Sequence, residues 1–290
     1  MTILRTAIVG AGRIGMDMLY RVATSDYLSI ELIIGRPGSK GLHLAHEAGY
    51  TVSDRGLSAE LDRGVEFDVI FDASDAAAHV DHWKRASSTG ALVVDLTPSH
   101  IGTPIVPVVN IDDVRHNRNV NLVSCAGQAS IPIVSRMVRE LAPSYVEIAA
   151  TAAAVTIGPA TRRNINPFIE NTATAIREIS GLSNIKFMAG GTPATPEPDF
   201  RVSIAMAGAA RQVPRPVLEE IVHSIQDDVS RYSPGYSAYV IEHSDTFTNV
   251  MVTVTAHAPM IPSYAGNLEI INSAAVEVVR RYADMSAQVA

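Results

Sequence analysis

The residue with the clearest chemical potential is Cys125, the single cysteine among 290 residues. It lies in the segment 121–132, where an apolar run is followed by small residues and then by apolar residues at helical spacing. This pattern predicts a strand over 122–125 that turns into a helix. The N–H groups and dipole of that helix would favour the thiolate, so we predict a nucleophile, with a buried inert cysteine as the alternative.

A glycine-rich turn follows the first apolar run, 5–9, and precedes a helical pattern. Its spacing is G-x-G-x-x-G, in which the first glycine permits a tight turn and the second lets a pyrophosphate approach the backbone. The third glycine allows the helix to pack closely on the strand. The motif predicts a dinucleotide-binding turn that comprises Gly10, Ala11, Gly12, Arg13, Ile14 and Gly15.

The second predicted strand, 30–34, is followed by Arg36 at a corner where an NAD-binding fold usually has an acidic residue. Arginine there, with Ser39 and Lys40 nearby, would suit the 2′-phosphate of NADP. It would also suit adenine stacking without a phosphate, so the sequence leaves the choice between NAD and NADP open.

Two further buried strands are predicted at 69–73 and 91–96, with a helix over 76–87 between them. Their carboxyl ends supply Ser74 and Thr97, which we expect on the nicotinamide side because ligands bind outside such ends. His79 and His82 are three apart on the helix. Without a third ligand, this spacing indicates a surface or packing role rather than a metal site.

The length suits two domains, and the pattern changes after residue 143 to longer strands with helices between them. The predicted fold class is α/β. An N-terminal Rossmann domain with a doubly wound parallel sheet would comprise 1–130 together with a C-terminal helix, 265–290. A mixed-sheet α+β domain for catalysis and dimerisation would comprise 131–264, and we expect the C-terminal helix to pack on the first domain.

Composition excludes several classes of protein. Lys and Arg number 23 against 30 Asp and Glu, a net charge of −7, and no basic run suits a nucleic acid. No apolar run is long enough to span a membrane, and the first one lacks the features of a signal peptide. One cysteine suits a reducing compartment, so we expect a cytoplasmic protein.

Together, the segments 10–15, 95–98, 107–110, 121–132, 158–164 and 264–270 give nearly the whole chain a specific resemblance. It resembles the acylating acetaldehyde dehydrogenases, which oxidise a short aldehyde to acyl-CoA, and more distantly the semialdehyde dehydrogenases. The resemblance implies that Cys125 forms the acyl thioester and that CoA accepts the acyl group. It assigns to the nicotinamide cofactor the segment 11–14 and the residues Thr156, Ile157, Gly158, Pro159, Ala160, Thr161, Arg162, Arg163, Asn164 and Asn267.

The chain departs from this family at four places. Ala126 and Ala160 stand where glycine is common, Arg36 stands where many members have an acidic residue, and the region 235–264 is shorter than usual. Family members typically associate with an aldolase that passes acetaldehyde across, and the last departure puts that partner in doubt here. By analogy of fold, we expect a homo-oligomer, a dimer or tetramer formed through the second domain.

The predicted mechanism is attack of the Cys125 thiolate on the aldehyde, hydride loss from the thiohemiacetal, and transfer of the acyl group to CoA. The amides of Gln128 or Asn267 are candidate donors to the oxyanion, although Gln128 would serve equally as an ordinary helix residue. No histidine lies in a matching motif for a general base.

Two alternatives remain from the sequence alone. One is a semialdehyde dehydrogenase with a larger substrate and another acceptor, in which Arg162 or Arg163 binds an anionic group. The other is a regulator that senses the nicotinamide ratio without chemistry.

Overall fold

The computed structural model describes residues 3–163 and 165–287. The chain forms two compact units. The first unit runs to Leu122 and resumes at Ala274, and the second is Val123–Ser273. The segments 123–130 and 265–273, which the sequence-based limits placed in the first domain, therefore group with the second unit.

The first unit is a parallel sheet with helices in the connections between its strands. Its seven strands are ordered β3-β2-β1-β4-β5-β7-β6, and the reversal between β1 and β4 is the switch point of a doubly wound fold. The elements are β1 (Leu4–Val9), α1 (Arg13–Ala23), β2 (Leu28–Ile34), α2 (Lys40–Glu47), β3 (Val52–Ser53), α3 (Leu57–Asp62), β4 (Val69–Asp72), α4 (Ala76–Ala86), β5 (Leu92–Asp95), β6 (Thr103–Pro104), α5 (Pro107–Asn110), a 3-10 helix (Ile111–His116) and β7 (Asn119–Asn121).

The second unit contains a mixed sheet of five strands ordered β11-β12-β10-β8-β9, in which only the β8–β9 ladder is parallel. The elements are α6 (Cys125–Leu141), β8 (Tyr145–Ala153), a 3-10 helix (Ala154–Thr156), α7 (Pro159–Arg163), α8 (Ile165–Ser180), β9 (Ile185–Thr192), β10 (Phe200–Ala207), α9 (Arg215–Ser230), β11 (Tyr236–His243), β12 (Phe247–Val254) and the start of α10 (Gly266–Ala287). The predicted fold class is confirmed.

Side chains alternate across this sheet, as expected of strands with one covered face. Val202, Ile204, Val250 and Val252 are fully buried, and α6, α8 and α9 contact strands of the sheet. The alternate residues of the same strands, such as Met251, are only partly buried. We call this second side of the sheet the open face.

The end of α10 belongs to the first unit, as predicted for the C-terminal helix. The hydroxyl of Tyr27 donates a hydrogen bond of 3.3 Å to the carbonyl of Val276, and the guanidinium of Arg118 lies 5.2 Å from the ring centroid of Tyr282. In the described part of the chain, no helix is long and apolar enough to cross a bilayer.

Candidate active site

The glycine turn has the geometry expected of a pyrophosphate site. A Cβ atom on Gly10, which has φ +100°, would lie 2.4 Å from the carbonyl oxygen of Ala73, and one on Gly15 would lie 1.9 Å from that of Gly10. A Cβ on Gly12 would meet nothing within 4 Å. Two glycines are therefore required by packing, whereas Gly12 leaves the N-terminus of α1 open, so these residues fit a dinucleotide.

The other predicted residues of this turn are placed by two helices. Ala11 is buried beneath α2, where a Cβ on Gly41 would lie 2.0 Å from its carbonyl oxygen. Arg13 and Ile14 are the first two residues of α1. Arg36 is exposed after the end of β2, and its guanidinium forms no hydrogen bond or ion pair with a described residue.

Two buried carboxylates lie side by side at the carboxyl ends of β4 and β5, since Asp72 and Asp95 are paired in register. Asp72 accepts hydrogen bonds from the N–H (3.1 Å) and hydroxyl (2.5 Å) of Ser74. Asp95 accepts from the N–H of Thr97 at 2.7 Å. Each aspartate thus closes a turn. The turn at Asp72 contains the predicted residue Ser74, and the turn at Asp95 contains the predicted residue Thr97.

The hydroxyl oxygen of Thr97 is buried and has no hydrogen-bond partner among the described residues. A buried hydroxyl without a partner is costly, and a polar ligand atom at this turn would relieve that cost. The predicted position of Thr97 beside a cofactor is therefore chemically reasonable. Sequence analysis missed the aspartates themselves, although Asp at a strand end with Ser or Thr two residues later is the signal for such a turn.

His79 and His82 have the packing role that their spacing indicated, because both rings contact the carboxylate of Asp72. The Nδ1 atoms of both rings lie within 2.9 Å of the same oxygen of Asp72, at 2.9 Å for His79 and 2.8 Å for His82. Although burial favours its neutral form, these hydrogen bonds hold the pKa of Asp72 well below its usual range. Among the described residues, no group of three or more His, Cys, Asp or Glu is arranged to hold a metal.

Cys125 is the first residue of α6, so it lies at the predicted strand-to-helix turn, although β7 already ends at Asn121. The strand β7 ends earlier because Val123 has φ +62°, a left-handed conformation that is strained for a β-branched residue. The Val123 side chain also comes close to Gly127, where an added Cβ would lie 2.6 Å from its Cγ1 atom. Glycine at 127 therefore permits the sharp turn that presents the cysteine.

Ser124 fixes the start of this helix as its N-cap. Its hydroxyl oxygen accepts hydrogen bonds from the N–H of Gly127 at 3.0 Å and from the hydroxyl of Thr172 at 3.0 Å. Thr172 lies on α8 and is buried, so a neighbouring helix holds the capping side chain in place. Neither residue was identified from the sequence, because their contact joins positions 48 apart.

The environment of Cys125 reverses the direction expected for its pKa. The residue retains partial exposure, but burial of the thiol raises its pKa to about 11. Hydrogen bonds from the backbone N–H groups of Cys125 and Ala126 lower the pKa, as a helix start should, without overcoming burial. In the protein without ligands, burial therefore opposes the thiolate that the helix start was expected to favour, and the reactivity of Cys125 stays a prediction.

Asn267 is placed by a close backbone approach at the start of α10. A Cβ on Gly266 would lie 1.8 Å from the carbonyl oxygen of Val254, so glycine is required there. The Asn267 side chain is buried, and its Oδ1 atom has no hydrogen-bond partner among the described residues. Gln128 is fully buried on the first turn of α6. Both amides belong to the same unit as Cys125.

In the segment 156–164, which the resemblance assigned to the cofactor, Thr156 ends a 3-10 helix and Pro159 begins α7. Thr156 is buried and donates to the carbonyl of Ala153 at 2.8 Å. The guanidinium of Arg162 donates to the carbonyls of Ile157, at 3.1 Å, and Ala154. These hydrogen bonds tie the Arg162 side chain to the backbone of its own segment, and its role towards a cofactor or an anionic substrate stays a prediction. Of the other predicted loop residues, Ile157 to Thr161 and the exposed Arg163 are described, and Asn164 lies outside the described residues.

Comparisons with known proteins identify the family of the chain. Residues 125–262 match the family model described as prokaryotic acetaldehyde dehydrogenase, dimerisation. An acetaldehyde dehydrogenase of Streptomyces griseus is 37% identical over 96% of this chain and 89% of its own length. One of Pectobacterium atrosepticum is 34% identical, with 95% of this chain and 94% of the relative covered.

A solved structure shares the fold. Aspartate semialdehyde dehydrogenase II of Vibrio cholerae superposes with a TM-score of 0.68 at 12% identity, over 98% of this chain and 99% of that one. At that identity the likeness concerns the fold alone, whereas the full-length sequence relatives identify the activity class. The chain belongs to the acetaldehyde dehydrogenase family and is an aldehyde-oxidising enzyme.

Proposed function

We propose that this protein oxidises a short aldehyde such as acetaldehyde to an acyl-CoA through a thioester on Cys125. The observation that carries the proposal is the turn that presents the single cysteine as the first residue of α6. In this turn the backbone of Val123 is strained, and the hydroxyl oxygen of Ser124 accepts two hydrogen bonds. Strain of this kind persists where the surrounding structure enforces it, and it is concentrated at functional sites.

The cysteine suits each covalent step. Its sulfur adds to the carbonyl carbon while the S–H proton passes to the carbonyl oxygen, which gives a thiohemiacetal. Loss of a hydride and the hydroxyl proton leaves a thioester on Cys125. The thiol of CoA then displaces the cysteine, which recovers its proton, and acyl-CoA leaves. Sulfur is both nucleophile and leaving group here, a combination that serine offers poorly.

A nicotinamide dinucleotide would supply the hydride acceptor. The glycine turn of the first unit would hold its pyrophosphate, because Gly12 leaves the start of α1 open. Thr97 and Asn267 each offer a buried polar atom without a partner among the described residues. Arg36 would lie beside the ribose. Its guanidinium has no partner among the described residues and would bind the 2′-phosphate of NADP.

A homo-oligomer is part of this proposal. The matched family model concerns dimerisation and covers most of the second unit. The open face of its sheet leaves Met251 partly buried, beside the paired and exposed Tyr239 on β11. A second copy of the chain on this face would cover apolar surface that is otherwise in contact with water.

The test is reduction of NAD and NADP with acetaldehyde and with propanal, each with and without CoA. Cys125→Ala should abolish the CoA-dependent reaction, and Cys125→Ser should reduce it severely while keeping the size of the side chain. Mass spectrometry without CoA should find the acyl group on Cys125. CoA-dependent turnover by Cys125→Ala, or an unmodified cysteine, would contradict the proposal.

A further inference from the structure

The imidazole of His79 joins the two strand-end carboxylates of the first unit. Its Nδ1 atom lies 2.9 Å from Oδ2 of Asp72, and its Nε2 atom lies 3.4 Å from Oδ2 of Asp95. All three side chains are fully buried. Asp95 also accepts hydrogen bonds from the hydroxyl of Ser99 at 2.5 Å and from the side-chain amide of Asn121 at 2.7 Å. Because burial raises the pKa of Asp95, a cation shared with Asp72 would stabilise its charged form.

The surroundings of Nε2 support a ring that is protonated on both nitrogens. Asn119 has its Nδ2 atom 3.3 Å from Nε2, while its buried Oδ1 atom has no partner among the described residues. A half-turn of the amide would exchange these two atoms, and the hydrogen-bond network decides between the two orientations. The N–H of Nε2 would then have acceptors in both Asn119 and Asp95.

The charged groups around the ring favour the same state. Asp72 faces His79 from β4, Asp95 faces it from β5, and His82 on the same helix shares the Asp72 oxygen. Burial lowers the pKa of His79, but the Asp72 hydrogen bond and the charge of Asp95 outweigh it and raise the pKa. The direction of this shift favours the charged form of the ring.

This bridge connects the two turns that contain Ser74 and Thr97, which the sequence predicts on the nicotinamide side of the cofactor. Asp72 holds Ser74, and Asp95 holds Thr97, whose buried hydroxyl has no partner among the described residues. We propose that His79 is a positioning residue that joins Asp72 and Asp95 as a cation and so fixes Ser74 and Thr97 for the nicotinamide cofactor. The inference rests on the proposed function, because it takes the cofactor to contact these turns.

Two neutral replacements separate the two halves of the bridge. Asparagine at position 79 matches Nδ1 in reach and retains the bond to Asp72, whereas glutamine matches Nε2 and retains the contact with Asp95. Both remove the charge. We expect His79→Asn and His79→Gln to raise the KM for the nicotinamide cofactor at least about tenfold, the factor that one charge-assisted hydrogen bond represents. The KM for acetaldehyde should change little.

A pH profile distinguishes positioning by charge from a general loss of structure. In the neutral variants the excess carboxylate must take up a proton, so cofactor affinity should improve as the pH falls from about 8 to about 6. The wild type, in which the proposal makes the His79 ring a cation, should vary little over that range. His223→Gln, an exposed histidine of the second unit, is the matched control and should behave as the wild type.

Each result has a defined meaning. Wild-type KM values and a flat profile in both variants would overturn the inference, whereas failure of the wild type to bind NAD or NADP would overturn the proposed function instead. If the single variants unfold in a thermal melt, the charge of His79 is read in the wild-type protein from the 15N chemical shifts of its ring at pH 7. A ring protonated on both nitrogens supports the bridge, and a neutral ring refutes it.

Discussion

The raised pKa of Cys125 predicts a slow thiol in the free enzyme. Its rise from the ordinary value of 9.0 to about 11 lowers the thiolate fraction at neutral pH about a hundredfold, since each pKa unit is a factor of ten. Because alkylating reagents attack the thiolate, iodoacetamide should modify the folded protein about a hundredfold more slowly than the unfolded chain at pH 7. The chain has one cysteine, so intact-mass spectrometry reports this site alone.

The pH dependence provides the sharper test. The alkylation rate of the folded protein should still rise about tenfold per pH unit near pH 9, whereas the same chain in denaturant should level off there. Circular dichroism at each pH confirms that the protein stays folded. If the alkylation rate of the folded protein levels off between about pH 7 and 8, the thiol is already ionised there. That result would refute the claim that burial sets the pKa of Cys125.

Four other predictions concern single positions. Gly15→Ala should lower the melting temperature, since overpacking costs about 1–3 kcal/mol, while Gly12→Ala should leave melting unchanged and raise the cofactor KM. Arg36→Asp should lower the ratio of kcat/KM for NADP to that for NAD at least about tenfold if a 2′-phosphate binds there, and an unchanged ratio would exclude that contact. Thr172→Val should reduce the free energy of unfolding in urea by about 1 kcal/mol, because it removes the hydrogen bond to the capping residue Ser124. Thr174→Val, on the exposed side of the same helix, is the control. Met251→Glu on the open face should shift the protein to a monomer in size-exclusion chromatography with light scattering, whereas an unchanged oligomer would place the interface elsewhere.

The sequence predicted the strands and turns that are specified by residues close together in the chain. The predicted strands 69–73 and 91–96 contain β4 and β5, and the glycine turn has the predicted roles at each glycine, because spacing alone specifies a close approach. The strands β9 and β11 were missed. Each is an edge strand paired on one side, and β9 ends in two glycines that resemble a loop signal.

The candidate site was harder to predict where its properties depend on distant residues. The residue type and the helix start at Cys125 were evident, but the pKa of its thiol depends on what covers it, and sequence shows no burial. The cap contact between Ser124 and Thr172, and the bridge from His79 to Asp95, join separate elements of the fold. Local propensity carries no information on such contacts.

A buried neutral thiol also constrains how the aldehyde is attacked. Ionising Cys125 before substrate binds would place a thiolate where two backbone N–H groups are the described donors and burial opposes charge. Addition that transfers the S–H proton to the carbonyl oxygen as the C–S bond forms creates no net charge, so burial does not oppose it. Alkylation and turnover should therefore diverge with pH. The alkylation rate should rise with pH as the thiolate fraction rises, while kcat/KM for acetaldehyde should stay nearly level across neutral pH. A tenfold rise per pH unit in both quantities would show that ionisation comes first.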